Sequence, residues 1–169
     1  MNNKKMKFFL PLLFIIYLAL LIWIIVFKLQ FSISELDTVR SINLIPFHYD
    51  NEIGVIFHLT EILENIAIFA PLGIYLCMFK HEQKFLIKVL ITVGISMGFE
   101  VVQYILAIGR SDITDLITNA CGGIVGIGIY YMIVKLFGSR KCANRIITII
   151  ASIVTIIVVG GLAILLILN

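Results

Sequence analysis

Apolar residues dominate five long stretches of the chain, at about Phe8–Phe27, Ile56–Phe79, Phe85–Leu106, Ile113–Leu136 and Ile146–Leu168. A helix needs roughly 20 apolar residues to cross a hydrocarbon core of about 30 Å, and each stretch meets that length. The first contains no charge and follows Lys4, Lys5 and Lys7. Its length exceeds the apolar region of a signal peptide and no small-x-small cleavage site follows, so it reads as a retained helix. The last is rich in β-branched residues that suit a strand by propensity, but backbone groups inside lipid must be satisfied within the segment, which favours a helix. The pattern therefore predicts an all-α membrane protein, a single domain of five transmembrane helices over residues 1–169. Its one sizeable loop, 28–55, contains the turn-prone stretch Asn43-Leu44-Ile45-Pro46-Phe47.

Composition agrees with lipid as the solvent: 61% of the residues are hydrophobic and 14% charged, against roughly 45–50% and about 25% in soluble domains. The net charge of +3 gives no footprint for nucleic acid. Where the basic residues stand matters more. Placing the N-terminus inside puts ten of the 13 basic residues in cytoplasmic segments and leaves Lys28, Arg40 and Arg110 outside. The expected topology is N-in and C-out in the bacterial cytoplasmic membrane, with 28–55 as an outside loop.

This orientation gathers the polar residues that apolar helices should lack. Glu61, Glu64 and Asn65 fall in the outer half of the second span, beyond a kink expected at Pro71, and Glu100 and Gln103 in the outer half of the third. Asp112, Asp115 and Asn119 occupy the first turns of the fourth at i, i+3 and i+7, and Arg110 precedes them in the outer turn. Spacings of three and four place each set on one helix face. A charge at a span's centre costs about 2.5–3.5 kcal/mol on insertion scales, so such residues point to a functional site. Structural readings stand beside this one. Asp112 suits an N-cap, Asp115 a first-turn acid, and Asn65 and Asn119 interhelical hydrogen bonds.

The candidate acid–base groups are Glu64, Glu100 and Asp115. The candidate binding groups are Asn65, Gln103, Arg110, Asp112 and Asn119. Paired carboxylates can act as general acid and base, or hold a divalent cation; no nucleophile or cofactor signature selects between these. The histidines (His48, His58, His81) lack the pairing of a zinc site, and Cys77, Cys121 and Cys142 lie far apart, so no resident metal is expected and any cofactor is unknown. Gly94-x-x-x-Gly98 and Gly122-x-x-x-Gly126 predict close helix approach.

The motifs Asn43-Leu44-Ile45-Pro46-Phe47, Glu64-Asn65-x-x-x-Phe69-x-Pro71-x-Gly73, Glu100-x-x-Gln103 and Gly109-Arg110-x-Asp112-x-x-Asp115-x-x-x-Asn119-x-x-Gly122 occur in this order. Together they resemble the VanZ-like family of small bacterial membrane proteins. The resemblance implies lowered susceptibility to the lipoglycopeptide teicoplanin, without implying a reaction. The leading expectation is a site that binds or modifies a membrane-lipid or cell-envelope glycolipid headgroup at the outer leaflet. A proton- or cation-coupled carrier is the alternative, opposed by the nearly pure apolar inner halves of the spans. A non-catalytic interaction protein, with protein partners unknown, is the third.

Overall fold

The computed structural model describes residues 3–27, 40–47 and 55–168. It contains five helices, α1 (Asn3–Phe27), α2 (Val55–Phe79), α3 (Phe85–Leu106), α4 (Ile113–Phe137) and α5 (Arg140–Leu168), and all five are long and apolar enough to cross a membrane. The expected all-α, five-span architecture is what the chain adopts. α2 runs unbroken through Pro71. α5 is longer than its apolar run because Arg140, Lys141 and Arg145 join its first turns. Its 29 residues span about 43 Å, more than a hydrocarbon core requires.

The turn between α3 and α4 departs from expectation. α3 is closed after Leu106 by Ala107, whose φ of 54° is left-handed, with the Ala107 N–H on the Tyr104 carbonyl and the Ile108 N–H on that of Gln103 at 3.1 Å. This is a Schellman closure with alanine where glycine is usual. The chain then forms a short strand, β2 (Gly109–Asp112), which pairs in parallel with β1 (Arg40–Asn43) in the register Arg40↔Gly109 to Asn43↔Asp112. Neither segment alternates apolar and polar residues, so neither announces a strand. The α2–α3 hairpin lies between them in the chain. The remainder of the expected loop, 28–39 and 48–54, lies outside the described residues.

The chain divides into two compact units, residues 22–131 and a second formed by residues 1–21 with 132–169. In the second, Leu13, Ala143, Ile147 and Thr148 are buried. The Thr148 and Ser152 hydroxyls there donate to helix carbonyls four residues back, the usual way a hydroxyl is satisfied in an apolar helix. In the unit of residues 22–131, α2 and α4 cross at backbone contact. A Cβ at Gly126 would overlap the Ala70 carbonyl, one at Gly73 would overlap the Gly123 carbonyl, and one at Gly122 would lie 2.6 Å from Ile66 O. Gly122 and Gly126 thus act as their spacing predicts. Gly94 and Gly98 do not, since both face open space. Beside this crossing, Phe69 is fully buried with its ring edge-on to Phe99, and Phe99 packs against buried Val26 and Ile108.

Candidate functional site

The start of α4 organises one end of the 22–131 unit. Asp112 directly precedes the helix, and its Oδ1 accepts from the Thr114 N–H at 2.7 Å, an N-cap interaction. Its Oδ2 accepts from Asn43 Nδ2 at 3.0 Å, and Asn43 Oδ1 accepts from the Ile45 N–H at 3.1 Å. Asn43 therefore joins β1 to the N-cap and turns the chain after it. The Phe47 N–H donates to Thr114 Oγ1 at 3.0 Å, so the segment 43–47 is fastened to α4 at two points.

Glu100 holds the same turn from α3. Its Oε2 accepts from the Asp112 N–H at 3.1 Å, and its carbonyl accepts from the Ser111 hydroxyl at 2.9 Å. From α2, Asn65 Nδ2 donates to Asp115 Oδ1 at 2.8 Å and to Thr118 Oγ1 at 3.2 Å. Three helices and the ribbon thus bring a polar group of two hydrogen-bonded sets to the start of α4, Asn43–Asp112–Glu100 and Asn65–Asp115. Its acceptors outnumber its donors, so it suits a ligand that brings hydroxyl or ammonium hydrogens. Among the described residues, no group of three or more His, Cys, Asp or Glu side chains could hold a metal ion.

Other expected site residues lie apart from this group. Gln103 is buried, with Nε2 on the Ile25 carbonyl at 2.9 Å, and so ties α3 to the end of α1. Asn119 is buried one turn below Asp115 and donates to Ser96 Oγ at 2.9 Å, while its Oδ1 has no partner. Glu64 is exposed on α2. Glu61 is also exposed and lies 3.4 Å from His58 Nδ1. Arg110 stands in β2 opposite Ser41; the expectation for its side chain lies outside the described residues.

Sequence reasoning missed Asn43 and Thr114 as anchors and Ser96 and Thr118 as hydrogen-bonding partners. A signal existed for Ser96, because Lys88, Thr92, Ser96 and Glu100 recur every four residues on α3. The first three of these are fully buried. Lys88, one of the ten basic residues that the sequence assigns to cytoplasmic segments, donates to the His81 carbonyl and the Tyr131 hydroxyl, each at 3.2 Å, and lies 5.5 Å from the Tyr131 ring centre. The first half of α3 is therefore not purely apolar. Its polar groups are turned inward, where a count of apolar residues does not reveal them.

A family model described as VanZ/LLP1 matches residues 14–135. Protein VanZ of Enterococcus faecium is 37% identical over 134 residues, which cover 78% of this chain and 80% of that protein. No solved structure matches the chain. Every described residue of the polar group lies within the matched region.

Proposed function

The chain belongs to the VanZ/LLP1 family, and from that premise we propose that it lowers susceptibility to lipoglycopeptide antibiotics such as teicoplanin. It does so through a polar, acidic site at the outer face of the bacterial cytoplasmic membrane, which binds or modifies a lipid or cell-envelope headgroup. The observation that carries this reading is that Asn65 of α2 and Glu100 of α3 both reach the Asp112–Asp115 turn that opens α4. Neighbouring carboxylates repel one another in a poorly solvated site, and a ligand with several donors relieves that repulsion. Sugar hydroxyls or a headgroup ammonium have this chemistry. The distribution of lysine and arginine supports the outward orientation of this end.

Glu100 and Asp115 are the central groups, with Asn65 orienting Asp115. Arg110 supplies the cation for a phosphate or carboxylate on the same ligand. If a bond is broken, one carboxyl donates a proton while the other, ionised, accepts one. The test is teicoplanin susceptibility of a sensitive bacterium expressing the protein, beside an equally expressed Glu100→Gln form. The native protein is expected to raise the inhibitory concentration several-fold, and the variant to return it to that of cells without the protein. Absence of protection by the native protein overturns the teicoplanin role.

The buried Lys88, Thr92 and Ser96 on the face of α3 that bears Glu100 favour a second reading, a proton- or cation-coupled carrier. Proton uptake into vesicles containing the protein under an imposed membrane potential distinguishes the two. A flux above that of empty vesicles, abolished by Lys88→Met, favours the carrier; no such flux leaves the headgroup site.

A further inference from the structure

The segment that fastens to the N-cap of α4 has an unusual surface. Ile42, Leu44, Ile45 and Phe47 are 56%, 74%, 60% and 44% exposed, four large apolar side chains within six residues. The segment is nevertheless held in place. β1 pairs with β2, Asn43 binds Asp112, and the Phe47 amide binds Thr114. Phe47 itself has a left-handed φ of 53°, a strained conformation that the surrounding contacts maintain. A fastened backbone that turns its apolar side chains outward needs an apolar neighbour.

Depth identifies that neighbour. Ile42 lies opposite Ser111, whose hydroxyl binds the Glu100 carbonyl. Glu100 stands six residues before α3 ends at Leu106, which is about 9 Å along the axis. The ribbon therefore lies beside the last turns of a spanning helix, level with lipid, and does not project beyond the bundle. The exposed Val101, Val102 and Ile105 of α3 share that level. An open strand edge is not tolerated within the hydrocarbon core, but it is tolerated at the headgroup boundary, where water reaches the backbone.

We propose that Ile42–Phe47 is a membrane-inserted loop whose apolar side chains sit among the phospholipid acyl chains just beneath the headgroups. Inserted there, the loop holds Asn43 and its partner Asp112 at the lipid boundary, so a ligand of the acidic group is an amphiphile that arrives within the leaflet. That last consequence rests on the headgroup site proposed above; the insertion does not.

The chain has one tryptophan, Trp23, so a single reporter is simple to place. In a Trp23→Phe background, Leu44→Trp and, separately, Ile45→Trp are reconstituted in phosphatidylcholine–phosphatidylglycerol vesicles. Emission is measured with lipids brominated along the acyl chain and with aqueous iodide. The expected result is blue-shifted emission, quenched several-fold more by bromines near the headgroup than by iodide. Efficient iodide quenching without a bromolipid effect overturns the proposal. Shielding from both quenchers also overturns it, because protein then covers the loop. Monodispersity in detergent certifies the fold of each variant. If both tryptophans insert while Glu100→Gln leaves antibiotic protection intact, the loop proposal stands and the acidic-site reading falls.

Discussion

Asp112 illustrates how a single residue in this protein serves several purposes. Its two oxygens cap α4 and hold Asn43, while its amide is received by Glu100. The capping role was legible in the sequence as an aspartate one residue ahead of an apolar run. The bond to Asn43 was not, because it spans 69 residues and depends on tertiary structure. Ala107 is the counterpart at the end of α3. An L-residue in the left-handed region costs roughly 1–2 kcal/mol, and glycine escapes that cost at the expense of some chain entropy. Ala107→Gly is accordingly expected to stabilise the protein by about 1 kcal/mol, seen as a higher midpoint of thermal unfolding in detergent. An unchanged or lower midpoint contradicts the Schellman closure as described.

Among the elements, the helices were readable and their pairing was not. Length and apolarity suffice to define a span, since lipid leaves the backbone few alternatives. The two Gly-x-x-x-Gly motifs are equivalent as text, yet one lies against α2 and the other faces open space. The contrast gives a paired prediction. Gly126→Ala forces a methyl against the Ala70 carbonyl, which cannot rotate away as a side chain would, and a loss of roughly 1–3 kcal/mol is expected. Gly94→Ala meets nothing and gains up to about 1 kcal/mol from higher helix propensity. Comparable melting temperatures for the two variants would remove the α2–α4 crossing from its central place. The strands escaped sequence reading for a different reason. Arg-Ser-Ile-Asn and Gly-Arg-Ser-Asp each carry turn-like composition, and each is a strand only in the presence of the other.

For the molecule as a whole, the arrangement of basic residues yields a topology that can be tested without reference to function. A reporter enzyme active only outside the cytoplasm is expected to be active when fused after Asn169 and inactive when placed at Gln83, between α2 and α3. The reverse pattern would put the acidic group on the cytoplasmic side and remove the outer-leaflet headgroup as its ligand. Asn65, Glu100, Asp112 and Asp115 were legible from sequence as polar residues gathered at one end of three spans. Division of labour among them was not, since Gln103 and Asn119 are as polar as their neighbours but give their amides to Ile25 and Ser96.

The parallel ribbon bears also on how the chain is made. Its strands are joined by α2 and α3, so they meet only when the chain has crossed the bilayer and returned, an even number of passages. During synthesis β1 emerges first and has no partner until α3 has been inserted and β2 has followed it out to the same side. A nascent chain in which α2 or α3 fails to insert leaves the two strands on opposite sides of the membrane, and Asp112 without Asn43. Closure of this small sheet thus depends on the insertion of both α2 and α3. A chain that has closed it carries, at the mouth of its polar group, a record of correct threading.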